Sequence, residues 1–164
     1  MNYPEKEKIS LYFHIPFCIS KCSYCDFVSF ANSTAFHEPY INALLKELLL
    51  YKSTIEKNQI STIFIGGGTP TSLSDNLFEY LIKSIDEILQ LNRNSNNIEY
   101  TIEANPKTIT SKKADTMKQY GINRVSLGLQ SANEIELKVL NRIHSFKDLE
   151  ESIDILKAHG ISNI

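Results

Sequence analysis

Cys18, Cys22 and Cys25 are the only cysteines in the chain, and they share the short run Cys18-Ile-Ser-Lys-Cys22-Ser-Tyr-Cys25. Three thiolates at this spacing, on a loop able to wrap round a ligand, can hold three irons of a 4Fe–4S cube and leave the fourth iron without a protein ligand. An open iron is a place for chemistry. Other uses of the same thiols fit less well. A structural zinc site needs four closed ligands, and the fourth would have to be His14 or His37, with an imperfect match to usual zinc spacings. A disulfide framework is at odds with an odd count and with an N-terminus that does not read as a secretory signal. Three inert, buried cysteines are at odds with the clustering of every cysteine in one polar loop.

The elements around the loop follow a repeated order. Ile9–Ile15 is a β-rich run that Pro16 ends, so it delivers the chain from a strand directly into the cysteine loop. From Glu38 to about Ile55 the residues Leu44, Leu45, Leu48 and Leu49 recur at helical spacing, opposite Glu38, Lys46, Glu47 and Lys52. Ile60–Ile65 is a second buried-strand pattern, running into Gly66-Gly-Gly-Thr-Pro70. Ser72 or Ser74 caps the next helix, whose inward stripe is Leu77, Leu81, Ile85, Ile88 and Leu89, before a turn at Asn92 to Asn97. Ile98–Glu103 alternates as a third strand and stops at Ala104-Asn-Pro106.

A helix from Ser111 to Tyr120 has Gly121 as its C′ residue, and Ile122–Leu127 is a fourth strand followed by Gly128-Leu-Gln130. Ser131 with Glu134 has capping-box spacing and starts a helix through about Leu140; Ser145 with Asp148 repeats it more weakly. Tyr120-Gly-Ile and His159-Gly-Ile read as the same helix-end unit, and the chain stops where a fifth strand would begin. Strands alternating with helices imply right-handed βαβ units and a parallel sheet or barrel. The expectation is therefore an α/β fold, residues 1–164 forming the first four βα units of a longer barrel, with an exposed edge and loose folding when isolated.

In such a barrel the loops after the strands share one face, where sites form. The cysteines, Gly66–Pro70, the segment after Glu103, and Gln130 all lie on those loops. Glycines there let backbone N–H groups approach a ligand, although three glycines are also a plain tight turn. Glu103 shares the rim with the cysteines, which favours a binding role over that of a solvated strand-end carboxylate. Gln130 and Arg142 by themselves read as helix-start and surface residues.

Composition excludes some classes. At 164 residues, 42% hydrophobic and 22% charged, the chain has material for one core and is not disordered. A formal net charge of −2, with scattered Lys and Arg, gives no field for nucleic acid. Met1 to Ser10 is polar, and the first apolar run is too short for a signal peptide or a membrane span. A cytoplasmic, reducing compartment is expected.

Taken together, Tyr12-Phe-His-Ile-Pro-Phe-Cys18, the cysteine motif through Cys25-Asp-Phe27, Gly66-Gly-Gly-Thr-Pro70, Glu103-Ala-Asn-Pro106, Asn123-Arg-Val-Ser-Leu-Gly-Leu-Gln130 and Asn141-Arg-Ile-His144 carry a resemblance that covers nearly the whole chain. It resembles the radical S-adenosylmethionine superfamily, and within it the oxygen-independent coproporphyrinogen III dehydrogenases and the HemW-type heme chaperones. The resemblance implies a partial (βα)6 barrel whose 4Fe–4S cluster binds S-adenosylmethionine at the open iron and cleaves it to a 5′-deoxyadenosyl radical. By the same resemblance Cys18, Cys22 and Cys25 are the cluster ligands, Tyr12 and Tyr24 line the site, and Gly67, Gly68 and Thr69 contact the methionine part. Glu103, Gln130 and Arg142 would bind the cofactor's polar groups, an arginine suiting a carboxylate and a carboxylate suiting a sulfonium.

Two features bear on the branch. The dehydrogenases have a fourth cysteine where this chain has Phe27, and a substantial extension where it has only Met1 to Lys8. With Arg142-Ile143-His144, these resemble the chaperone branch, which implies heme and a heme-acceptor protein as partners and an electron donor for the cluster. The heme-contacting residues would lie outside this chain. Oxidative decarboxylation of coproporphyrinogen III is the alternative function, and a plain iron–sulfur electron carrier a third, which would have no need of an open iron.

Overall fold

The computed structural model describes residues 6–91 and 98–164; the turn expected at Asn92 to Asn97 lies outside them. Strands β1 (Lys8–Ile15), β4 (Gln59–Gly67), β5 (Glu99–Ala104) and β6 (Arg124–Leu127) form one sheet in the order β1-β4-β5-β6. Every pairing is parallel, with Ile15 opposite Gly67, Ile65 opposite Ile102 and Ile102 opposite Val125. Helices α1 (His37–Glu56), α2 (Asp75–Leu89) and α3 (Ser111–Gln119) make the crossovers, and α4 (Glu134–Val139) and α5 (Phe146–Ala158) follow β6. The expected α/β class with four βα units is what the chain forms.

Strand alternation sorts the two faces of the sheet. Phe13, Ile15, Ile63, Ile65, Ile102 and Val125 are buried and belong to the core under the helices. The alternate positions, Tyr12, His14, Phe64, Glu103 and Ser126, belong to the other face. Helix α2 supplies Phe78, Leu81, Ile82 and Ile85, all at 0% exposure, and α1 supplies Ile41, Leu45, Leu48 and Ile55. Leu49, expected in that stripe, is 53% exposed. The i, i+3, i+4 set that faces the sheet runs through Ile41, Leu45 and Leu48, and Leu49 is rotated off it.

The two repeated helix ends have the same geometry. Gly121 and Gly160 have φ of 79° and 77°, Ile122 N–H reaches Met117 O at 2.9 Å, and Ile161 N–H reaches Leu156 O at 2.9 Å. Both are Schellman closures with a buried apolar pair across them. The chain after Gly160 turns back to the sheet, since Val125 N–H donates to Asn163 O at 3.0 Å.

Several local expectations change. Strand β4 runs through Gly66 and Gly67, so the turn begins only at Gly68. Ser74 caps α2, while Ser72 donates its hydroxyl to Phe17 O. The α4 cap is Asn133, whose side chain accepts from Ile135 N–H; Ser131 instead donates to Glu136. Strand β6 begins at Arg124 because the Asn123 side chain takes over the pairing, accepting from Tyr100 N–H and donating to Ile98 O. The Ser145–Asp148 pair, read as the weaker box, is complete in both directions. Two short parallel strands, β2 (Phe17–Cys18) and β3 (Phe30–Ala31), were not legible as strands at all.

Leu81→Ala should cost about 2–5 kcal/mol, because it empties a fully enclosed site, whereas the exposed Leu50→Ala should stay within about 0.5 kcal/mol of wild type in denaturant titration. Ser145→Ala should cost about 1 kcal/mol through loss of the α5 cap. The Asp148 carboxyl is held below its ordinary 3.8, chiefly by the Ser145 backbone N–H. The unfolded chain therefore takes up that proton first, and this contribution is complete above pH 3.8 and lost as pH falls through the lower folded value. Ser145→Ala keeps that N–H and removes only the smaller contribution of the hydroxyl, so its penalty should shrink only slightly in the same window.

Candidate functional site

Parallel strands send all their outgoing loops to one edge, and on that edge lies an open cavity of about 190 Å³. Cys18, Cys22 and Cys25 line it, all three as free thiols. Of the other residues expected at the site, Tyr24, Gly67, Gly68, Thr69, Glu103, Gln130 and Arg142 also line it. Tyr12 does not. It is 59% exposed on β1, with its ring 6.0 Å from Phe64, and its hydroxyl pKa is pushed up first by burial and then by the charge of Glu103.

The cysteine loop is held at both ends and in its middle. Pairing of β2 with β3 closes its base, and Phe30 N–H donates to Pro16 O at 2.7 Å. Inside the loop the Lys21 ammonium donates to Phe27 O at 2.7 Å and to Ser29 Oγ at 2.8 Å. From outside, the turn after α4 grips it: Ser23 N–H donates to Leu140 O at 3.3 Å, and Asn141 Nδ2 donates to Lys21 O at 2.7 Å. Asn141 does this from a left-handed backbone, φ 56°, a conformation that asparagine tolerates better than most residues. The next residue, Arg142, directs Nη1 at Cys22 Sγ, 3.2 Å away, and its Nη2 at Gly128 O and Asn105 Oδ1.

The glycine run contributes space. Gly67 N–H donates to Glu103 Oε2 at 3.0 Å, Gly68 N–H to Ile15 O at 2.9 Å, and Thr69 N–H to Phe17 O at 2.7 Å. These donors are engaged within the protein, so the expectation of N–H groups presented to a ligand changes to one of bare Cα atoms. A Cβ on Gly66 would meet Glu103 Oε2 at 2.6 Å, and one on Gly68 would meet Phe17 O at 2.6 Å and Cys18 Sγ at 3.0 Å. At Gly67 it would meet the His14 ring at 2.6 Å, at a φ of 113° that disfavours other residues.

Neither histidine weighed as a fourth ligand lines the cavity. His14 binds Tyr12 Oη at 2.8 Å through Nδ1 and Val28 O at 2.9 Å through Nε2. The carbonyl only accepts, so Nε2 carries the proton and Tyr12 donates to Nδ1. His37 stacks on Phe17 with ring centroids 4.2 Å apart. Among the described residues no three His, Cys, Asp or Glu side chains converge on a point as a single metal ion requires. The donor set, three free thiols lining one cavity, is of the kind that a cluster takes, one thiolate to an iron. The Arg142 Nε, buried and with no acceptor among the described residues, adds an unspent donor beside it.

Lys21, Asn105 and Asn141 all stand in the quoted motifs, yet none of them is marked there as a functional residue. The roles of Asn105 and Asn141 are hydrogen bonds to residues far along the chain, 37 positions away for Asn105 with Arg142 and 120 for Asn141 with Lys21.

The sequence profile of the Radical SAM superfamily matches residues 12–164. The heme chaperone HemW of Haemophilus influenzae is 37% identical over 98% of this chain and 42% of its own length. HemW of Buchnera aphidicola is 41% identical over 91% of this chain and 39% of its own length. Among solved structures, the coproporphyrinogen III oxidase HemN of Escherichia coli superposes with a TM-score of 0.84 at 28% identity, covering 98% of this chain and 36% of that one. The chain thus spans about 40% of the length of the chaperones it matches. A 4Fe–4S cluster and S-adenosylmethionine are what the superfamily generally uses. With its profile matched from Tyr12 to the last residue and a parallel sheet that superposes on HemN, the chain belongs to the radical SAM superfamily.

Proposed function

We propose that Cys18, Cys22 and Cys25 ligate a 4Fe–4S cluster, that S-adenosylmethionine binds beside it in the same cavity, and that the protein of which this chain is a part is a heme chaperone, passing heme to an acceptor protein. The observation that carries the site is the sharing of one cavity by the three free thiols, Thr69, Glu103, Gln130 and Arg142. When bound, the cluster supplies one electron and an iron open to the cofactor's amino and carboxylate groups. Arg142 holds a positive charge against Cys22 Sγ, which offsets the negative charge of the thiolates. Glu103 presents a half-buried carboxylate that suits an ammonium or a sulfonium, and it is held in place by Gly67 N–H. Tyr24 lines the same cavity from the loop itself, and its hydroxyl pKa is raised first by burial and lowered in part by Arg142.

The chaperone reading rests on similarity to HemW at 37–41% identity, against 28–33% for coproporphyrinogen III oxidases, and on Phe27, which stands 67% exposed at the rim. Heme itself is assigned to no residue of this chain. A reducing, cytoplasmic setting suits three free thiols, and no helix among the described residues is long and apolar enough to cross a membrane. An electron donor is required to reduce the cluster.

Anaerobic reconstitution followed by iron and sulfide analysis should give a full cluster in wild type and lose most of it in Cys22→Ala; zinc uptake with refusal of iron would reject the ligation. Adding S-adenosylmethionine to the reduced protein should change its electron paramagnetic resonance spectrum. Glu103→Ala should weaken that binding about tenfold or more, the worth of one hydrogen bond to a charged group. For the whole protein, heme titration and a coproporphyrinogen III assay run in parallel separate the two readings: heme binding without conversion supports the chaperone, and conversion without heme binding supports the dehydrogenase.

A further inference from the structure

We propose that Asn105 is a positioning residue which aims the hydrogen-bond donors on two of the cysteine sulfurs and thereby raises the reduction potential of the cluster; this rests on the cysteine ligation proposed above. Asn105 follows β5 directly, and both ends of its amide are used. Its Oδ1 accepts from Arg142 Nη2, and its Nδ2 donates to Thr69 Oγ1 at 2.8 Å. The orientation is dictated by chemistry. A guanidinium has only donors, so the oxygen must face Arg142 and the nitrogen must face Thr69.

That orientation has a consequence at each thiol. Thr69 Oγ1 accepts from Asn105, so its own hydrogen is free to point elsewhere, and Cys18 Sγ lies 3.7 Å away. Arg142, with Nη2 fixed between Asn105 and Gly128 O, has Nη1 left 3.2 Å from Cys22 Sγ. One amide therefore sets the direction of a neutral donor on Cys18 and a charged donor on Cys22. Donors to the sulfurs stabilise the extra electron of the reduced state and move the potential upward.

The amide has little freedom to do otherwise. Its backbone carbonyl accepts from Thr108 Oγ1 at 2.6 Å, and Thr108 Oγ1 is in turn paired with the buried Thr71 hydroxyl at 2.6 Å. Across the cavity Gly128 leaves the space it occupies, since a Cβ there would stand 2.8 Å from Asn105 Oδ1.

Asn105→Asp separates the two donors. It keeps an acceptor for Arg142 at nearly the same shape, but it replaces the donor to Thr69 with a second acceptor. The Thr69 hydroxyl then turns to the carboxylate and is withdrawn from Cys18. The measurement is the midpoint potential of the reconstituted cluster, titrated with dithionite and followed by paramagnetic resonance without added cofactor, in wild type, T69V, N105D and N105D/T69V. T69V should lower the potential of wild type and leave that of N105D unchanged. An equal shift in both backgrounds, or none in wild type, overturns the proposal. If N105D does not fold or fill with iron, T69V alone decides: a lowered potential supports the proposal and an unchanged one overturns it. A wild type that takes up no cluster removes the ligation and this inference together, whereas a full cluster with an unresponsive potential removes this inference alone.

Discussion

Parallel pairing of β1, β4, β5 and β6 is the constraint from which the rest follows. A parallel strand cannot be reached by a tight hairpin, so each return needs a crossover, and every outgoing loop leaves from the same edge. Segments separated by dozens of residues are brought together by that fact alone: the cysteine loop after β1, the Gly68–Thr69 turn after β4, Asn105 after β5, and Gly128 to Arg142 after β6. None of them has to find the others by its own affinity. The sheet that gathers them is stabilised elsewhere, by the apolar face of Phe13, Ile15, Ile63, Ile65 and Ile102 against α1, α2 and α3.

Gathering alone would leave a flexible rim. What makes the edge a shaped cavity is a set of polar ties with no part in the core. The Lys21 ammonium spans the cysteine loop from within, Asn141 and Ser23 fasten it to the end of α4, and Arg142 reaches across to Cys22, Asn105 and Gly128. A planar guanidinium presenting several donors in a fixed fork suits this better than a lysine, which would satisfy one direction at a time. The glycines are the complement of these ties. They keep the second loop close enough for Glu103 to reach Gly67 and for Phe17 to receive Thr69, where any side chain would force the loops apart.

Polar burial away from the site shows the same economy of partners. Lys113 is 6% exposed, and its ammonium is satisfied by Thr108 O at 3.2 Å and by Asp75 at 3.3 Å. Burial pushes its pKa down and Asp75 opposes that. The pair links the start of α3 to the start of α2 on the same rim as Thr108, whose hydroxyl holds Asn105. The support of the site thus extends one layer behind the residues that line the cavity.

The amino-acid sequence by itself determined the class of fold, the order of its main elements and which loops share the edge where the cysteines lie. Period-two and period-3.6 apolar patterns, glycines at helix ends and a cysteine triplet are local signals, each decided within a few residues, and they survive folding unchanged. Gly121 and Gly160 close their helices as their spacing required, and the cysteines share one edge with Glu103 and Gln130 because the outgoing loops of parallel strands all leave there. Only the tertiary structure decided which partner each polar group takes. That Leu49 is turned outward, that Tyr12 stands off the cavity, that the glycine N–H groups are already engaged, and that Asn105 bridges Thr69 and Arg142 are outcomes of distances between segments far apart in the chain. A hydrogen bond is directional over a few tenths of an ångström, whereas a hydrophobic pattern needs only the right face, and this is why the second could be read from the sequence and the first could not.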